Sequence, residues 1–210
     1  MSLTILKIML VLGIVGHAIN MYCDRILCVF PNGMLRLEDL KDVEHNDKLA
    51  KLMEGVSEKV PLRSAFLGVF ALLLEFLGYF SITAYIYEHS KVYGSILFVF
   101  IVLFSMIGVA HHVKYALAEY VFIRLGRDQK ATSLMMDLYT SAPITKICFL
   151  GYLVFTITLI VAIFTGVAAL PLWAAIFTVL PVFIILAPFR IIGTLHISAM
   201  VSLLAWVILL

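Results

Sequence analysis

Charged residues are scarce: Asp, Glu, Lys and Arg together make up 13% of the 210 residues. A soluble globular domain draws about a quarter of its residues from these four types. A water-covered surface is therefore excluded, and a net charge of +2 gives no reason to expect nucleic acid as a partner. Cysteine is also sparse. Cys23 and Cys28 are five apart and point in different directions on a helix, and with Cys148 they match no common redox or zinc spacing. The chain lacks a glycine-rich phosphate loop, a low-complexity tract and an internal repeat, so one domain over 1–210 is expected. No positively charged stretch precedes the first apolar run, which holds only Lys7. Although Gly16-His17-Ala18 offers small residues where a signal peptidase could cut, the run reads as a retained span.

What fills the chain is apolar: 63% of residues are hydrophobic and the mean hydropathy is +1.10. Crossing roughly 30 Å of hydrocarbon takes about 20 apolar residues as a helix. Six such segments are expected, at about 3–29, 62–87, 92–123, 144–166, 170–188 and 190–210. The expected fold is thus all-α, a polytopic bundle of six transmembrane helices. Pro171, Pro181 and Pro188 punctuate the fifth segment, with a tight turn expected at Pro188 and Arg190.

Alternating spans would place Arg25, Arg36, Lys41, Lys48, Lys51, Lys59 and Arg63, then Arg124, Arg127, Lys130 and Lys146, then Arg190 on one side. Twelve of the 15 Lys and Arg residues fall there. That bias places the connection 31–60 in the cytoplasm and both termini outside. This connection has seven acidic and five basic residues, so it is no polybasic lipid anchor. Leu49, Leu52, Met53 and Val56 recur at helical spacing after Asn46-Asp47, which predicts a capped, short amphipathic helix on the cytoplasmic interface.

Against this background, ionisable residues inside apolar spans carry the functional signal, because such groups are costly at membrane depth. His17, Asn20 and Asp24 have i, i+3, i+7 spacing and share one helix stripe, as do His112 and Glu119 at i, i+7. His111 points about 100° away from His112, so His112 is expected to face the site. His196 lies six residues past Arg190, about 9 Å into its span. All three stripes fall in the cytoplasmic half, and Glu75 adds an acid mid-way along the second span.

Three neutral imidazoles from separate helices suit a zinc ion with one position left open. The expected metal ligands are His17, His112 and His196. Asp24 is expected to act as general base, or to orient a ligand histidine through its second nitrogen. Glu119 joins Asp24 as a catalytic candidate, and Asn20 and Glu75 are candidates for substrate binding. A membrane lipid presents its amide or ester at this depth, so the expected activity is metal-dependent hydrolysis of a lipid or other apolar substrate. Two other classes use the same residues: a transporter or proton-coupled channel, and a haem-binding electron carrier with His17 and His112 as axial ligands.

An early Asp with three histidines on different helices resembles the zinc site of the alkaline ceramidase and adiponectin receptor group of membrane hydrolases. The resemblance implies zinc-dependent hydrolysis. This chain differs in having six expected spans rather than seven, and one histidine on the last span in place of H-x-x-x-H. Asp24-Arg25-Ile26-Leu27, Val60-Pro61-Leu62-Arg63 through Gly68 to Gly78, and Leu195-His196-Ile197-Ser198 resemble an uncharacterised family of bacterial six-span membrane proteins.

Overall fold

The computed structural model describes residues 1–35, 47–140 and 143–210. The fold is all-α apart from a small hairpin: α1 Leu3–Cys28, β1 Val29–Phe30, β2 Gly33–Met34, α2 Asp47–Leu52, α3 Lys59–His89, α4 Lys91–Arg124, α5 Gln129–Thr140, α6 Ile144–Phe164, α7 Val179–Leu186 and α8 Thr194–Leu209. Short 3₁₀ segments at Leu172–Phe177 and Ala187–Phe189 flank α7. Four stretches are long and apolar enough to cross a membrane: Leu3–Cys28, Lys59–His89, Lys91–Arg124 and Gln129–Phe164. The first three overlie the expected segments 3–29, 62–87 and 92–123, and the fourth takes in most of 144–166 but starts fifteen residues before it.

The last two expected spans take a different form. Residues 170–188 hold no single long helix, because Pro171, Pro181 and Pro188 interrupt the hydrogen-bond ladder. Left-handed backbone at Arg190 (φ 52°) and Gly193 (φ 77°) then turns the chain into α8. With 16 residues, α8 is about 24 Å long. A methyl group placed on Gly193 would lie 2.6 Å from Met21 Cγ, and one on Gly13 3.0 Å from Leu203 Cδ1. So α8 runs antiparallel to α1 and begins beside Met21. Since Met21 is seven residues short of Cys28, the α7–α8 hairpin stops about 10 Å before that end of the bundle.

Glycine sets the approach of α1 to α3. A methyl on Gly16 would lie 2.6 Å from Ala71 O and 2.7 Å from Glu75 N, and one on Gly13 2.8 Å from Gly78 Cα. Backbone atoms cannot step aside as a flexible side chain would. Gly16→Ala should therefore destabilise the bundle by about 1–3 kcal/mol, read as a lowered denaturation midpoint in detergent. An unchanged midpoint would show that the helices are not this close. From α3 the bundle continues through α4 to α6, while α8 lies on the other flank of α1 and α7 packs on α8.

The amphipathic helix expected in 31–60 is present as α2, which ends at Leu52; Leu49 within it and Met53 and Val56 beyond it are buried. Their partners are Phe30, Phe122, Met135 and Tyr139, so this face packs on the bundle. Arg127 secures the segment by donating from Nε to Met53 O (3.1 Å) and from Nη2 to Val56 O (2.7 Å). The cap expected at Asn46 and the basic residues Arg36 and Lys41 lie outside the described residues, as does the side chain of Asp47.

Candidate metal centre

His17 sits midway along α1, at the level where the glycine contact draws α3 closest. Glu75 is opposite, and the hairpin turn delivers His196 in the first turn of α8. His17 Nδ1 lies 3.0 Å from His196 Nδ1 and 3.1 Å from Glu75 Oε1, and His196 Nδ1 lies 3.6 Å from the same oxygen. His17 and Glu75 are 2% and 1% exposed. Among the described residues these three form the one group of His, Cys, Asp and Glu able to hold a metal ion.

The surrounding partners determine where protons can sit. His196 Nε2 lies 3.2 Å from Asp24 Oδ2. A carboxylate there accepts, so Nε2 carries the proton and a neutral His196 presents a lone pair at Nδ1. Asn20 Nδ2 donates to Glu75 Oε1 (2.8 Å) and holds that carboxylate in place. His17 Nε2 is 2.9 Å from the Tyr79 hydroxyl, which in turn contacts the Tyr152 hydroxyl.

This geometry fits a cation. A triangle with these edges has its centre about 1.9 Å from each corner, close to the zinc–donor distance of about 2.1 Å, so the three atoms could hold one ion. Two histidines and a glutamate are also a known catalytic donor set for zinc. Moreover, Glu75 Oε2 and Asn20 Oδ1 are buried without a hydrogen-bond partner. Orphaned acceptors of this kind are rare in native interiors and call for a missing ion or donor.

The centre forms part of the polar end of a cavity of about 570 Å³. Asn20, Asp24, Glu75, His111, His112 and His196 supply polar lining, and Leu72, Phe104, Phe149, Leu153, Val179, Leu180 and Phe183 supply apolar wall. Along α6 the cavity extends from Cys148 to Thr156, about 12 Å.

The expected metal set is thus only partly brought together. His17 and His196 meet, but His112 does not join them. Its Nε2 faces Ser64, 3.3 Å from Oγ and 3.1 Å from the carbonyl oxygen. Its ring occupies the space that a side chain at Gly68 would need, seven residues or about 10 Å along α3 from Glu75. Glu75, expected to bind substrate, is instead the third member of the group that could hold an ion. Asn20, expected in the same role, holds Glu75, and Asp24 stands behind His196. Glu119 lies elsewhere, accepting a hydrogen bond from Tyr139 (3.3 Å), and His111 Nδ1 is 3.0 Å from Thr145 Oγ1. Tyr79, Tyr152 and Ser64 escaped the sequence reading. Tyr79 follows Glu75 by four residues and so shares its face, a signal that was present in the spacing.

The chain belongs to a family described as "Family of unknown function (DUF6796)", whose model matches residues 1–207. No curated protein and no solved structure matches it.

Proposed function

We propose that this member of a family of unknown function is an integral membrane protein, and that it hydrolyses a lipid or other apolar substrate at a metal held by His17, Glu75 and His196. The four long helices and exposed Ile8, Phe66, Met106 and Leu150 on their outward faces suit a hydrocarbon surround. The α7–α8 hairpin would take the place of the fifth and sixth crossings, entering and returning so that both termini lie outside. Arg190 at its tip is exposed and long enough to reach the cytoplasmic interface.

The observation that carries the reading is the convergence of three donor atoms beside an unpartnered Glu75 Oε2, at the polar end of an apolar cavity. At about 30 Å³ per water-sized group, the cavity holds on the order of 19 non-hydrogen atoms, roughly one acyl chain with its carbonyl. Zinc, when bound there, would polarise that carbonyl and lower the pKa of a water to about 7. The chain's own residues hold the arrangement. Asp24 orients His196, Asn20 fixes Glu75, and the free oxygens of Glu75 and Asn20 accept from the attacking water.

One observation favours a proton-coupled transporter: Tyr79 and Tyr152 extend the polar chain from His17 away from the cytoplasmic end. The haem reading has no comparable support, because His112, its second axial ligand, turns its Nε2 to Ser64 and does not meet His17. The deciding experiment is elemental analysis of protein purified in mild detergent without a metal-affinity tag, followed by fatty-acid release from labelled liposomes. About one zinc per chain with acyl release supports the hydrolase. A folded protein that takes up no metal sinks it, and proton uptake into proteoliposomes would then be measured.

A further inference from the structure

Counting hydrogens around His17 leads beyond the three ligands. Tyr79 OH lies between His17 Nε2 and the hydroxyl of Tyr152. All three residues are buried, so this chain has a direction: each hydroxyl donates once, and the imidazole either donates or accepts at Nε2. With no cation present, His17 Nδ1 can carry the proton and donate to Glu75 Oε1 at 3.1 Å. Nε2 then accepts from Tyr79, and Tyr79 accepts from Tyr152, whose proton is thereby turned inward.

Once the lone pair of His17 Nδ1 is given to a metal, its proton must sit at Nε2. Nε2 then donates to the Tyr79 oxygen, Tyr79 donates to the Tyr152 oxygen, and the Tyr152 proton has no partner left within the chain. Tyr152 lines the cavity whose polar end holds Glu75 and His196, whereas Tyr79 does not. We propose that Tyr152 is the group that donates a hydrogen bond to the substrate's carbonyl oxygen, and that Tyr79 is a positioning residue which frees that donor only when His17 holds a metal. The inference rests on the metal reading of His17, Glu75 and His196.

The arrangement gives the site a preorganised donor for the charge that develops on a carbonyl oxygen during acyl transfer. It also ties that donor to metal loading across two hydroxyls, so the metal-free protein would not present it. Two hydrogen bonds, His17–Tyr79 and Tyr79–Tyr152, reverse direction, and the imidazole proton passes from Nδ1 to Nε2 by exchange with water, so the neutral ring keeps its proton count.

The test uses full-length protein in detergent, loaded with Co²⁺ as a visible replacement for zinc and titrated with decanoate, a single-chain carboxylate that can accept from Tyr152. Tyr152→Phe should leave the cobalt stoichiometry at the wild-type value and raise the dissociation constant of decanoate about tenfold. A second measurement needs no ligand: the infrared difference between metal-loaded and metal-free wild type should contain a shifted phenol C–O band, assigned by its loss in Tyr152→Phe. Equal decanoate affinity in both proteins, no decanoate response in the wild type, or no tyrosine band in the difference spectrum overturns the proposal. A wild type that takes up no cobalt overturns the metal reading instead.

Discussion

Glu75→Gln should lower zinc affinity by about a hundred- to a thousandfold while leaving the metal-free protein at least as stable as the wild type. Four-ligand zinc sites bind with about 10–16 kcal/mol, so one ligand accounts for roughly 3–4 kcal/mol, or two to three powers of ten. The amide keeps the shape of the carboxylate and can still accept from Asn20, so the α1–α3 contact survives. What disappears is an anion that is 1% exposed and whose Oε2 has no partner. A buried charge without full compensation costs stability, and replacing it by a neutral group of the same shape is often neutral or favourable. Thermal unfolding with and without zinc separates the two effects. The wild type should gain about 2.7 kcal/mol at a zinc concentration a hundred times its dissociation constant, and Glu75→Gln should gain at most about 0.4 kcal/mol under the same conditions. Equal zinc-dependent gain in both proteins would remove Glu75 from the ligand set.

The helical class, the first four long helices and the stripe of His17, Asn20 and Asp24 were legible in the sequence, because hydropathy and helical periodicity are local properties. The hairpin was not. Composition marks residues 170–210 as apolar, but how far that segment penetrates depends on where Gly193 lands against Met21, a contact between residues far apart in the chain. The same limit explains the exchange of His112 for Glu75. Depth along a helix can be counted from its ends, and both residues fall within the inner two-thirds of their helices. Which of them faces His17 is decided by the glycine contact between α1 and α3 and by the room at Gly68, neither of which has a periodic signature. Asp24 illustrates the converse: its two possible roles were both visible, and only the 3.2 Å contact to His196 Nε2 separates them.

That contact yields the second large effect. Asp24→Asn should weaken metal binding about 10- to 100-fold, the usual consequence of removing a carboxylate behind a ligand histidine, and any loss of turnover should be recovered at saturating metal. The carboxylate orients the ring, fixes the proton on Nε2 and makes Nδ1 a better donor. An asparagine oxygen keeps the hydrogen bond but not the charge. A general base at Asp24 would behave in the opposite way, leaving metal affinity untouched and abolishing turnover however much zinc is added. The geometry favours the first pattern. Asp24 meets His196 at Nε2, on the far side of the imidazole from the lone pair that faces His17 and Glu75, and its carboxylate is therefore a ring's width from the point where water would be activated. Metal titration of Asp24→Asn beside the wild type, followed by acyl release at saturating zinc, distinguishes the two. A normal affinity with no activity would return Asp24 to the role of base and require a second conformation of the hairpin, one that lifts His196 away from it.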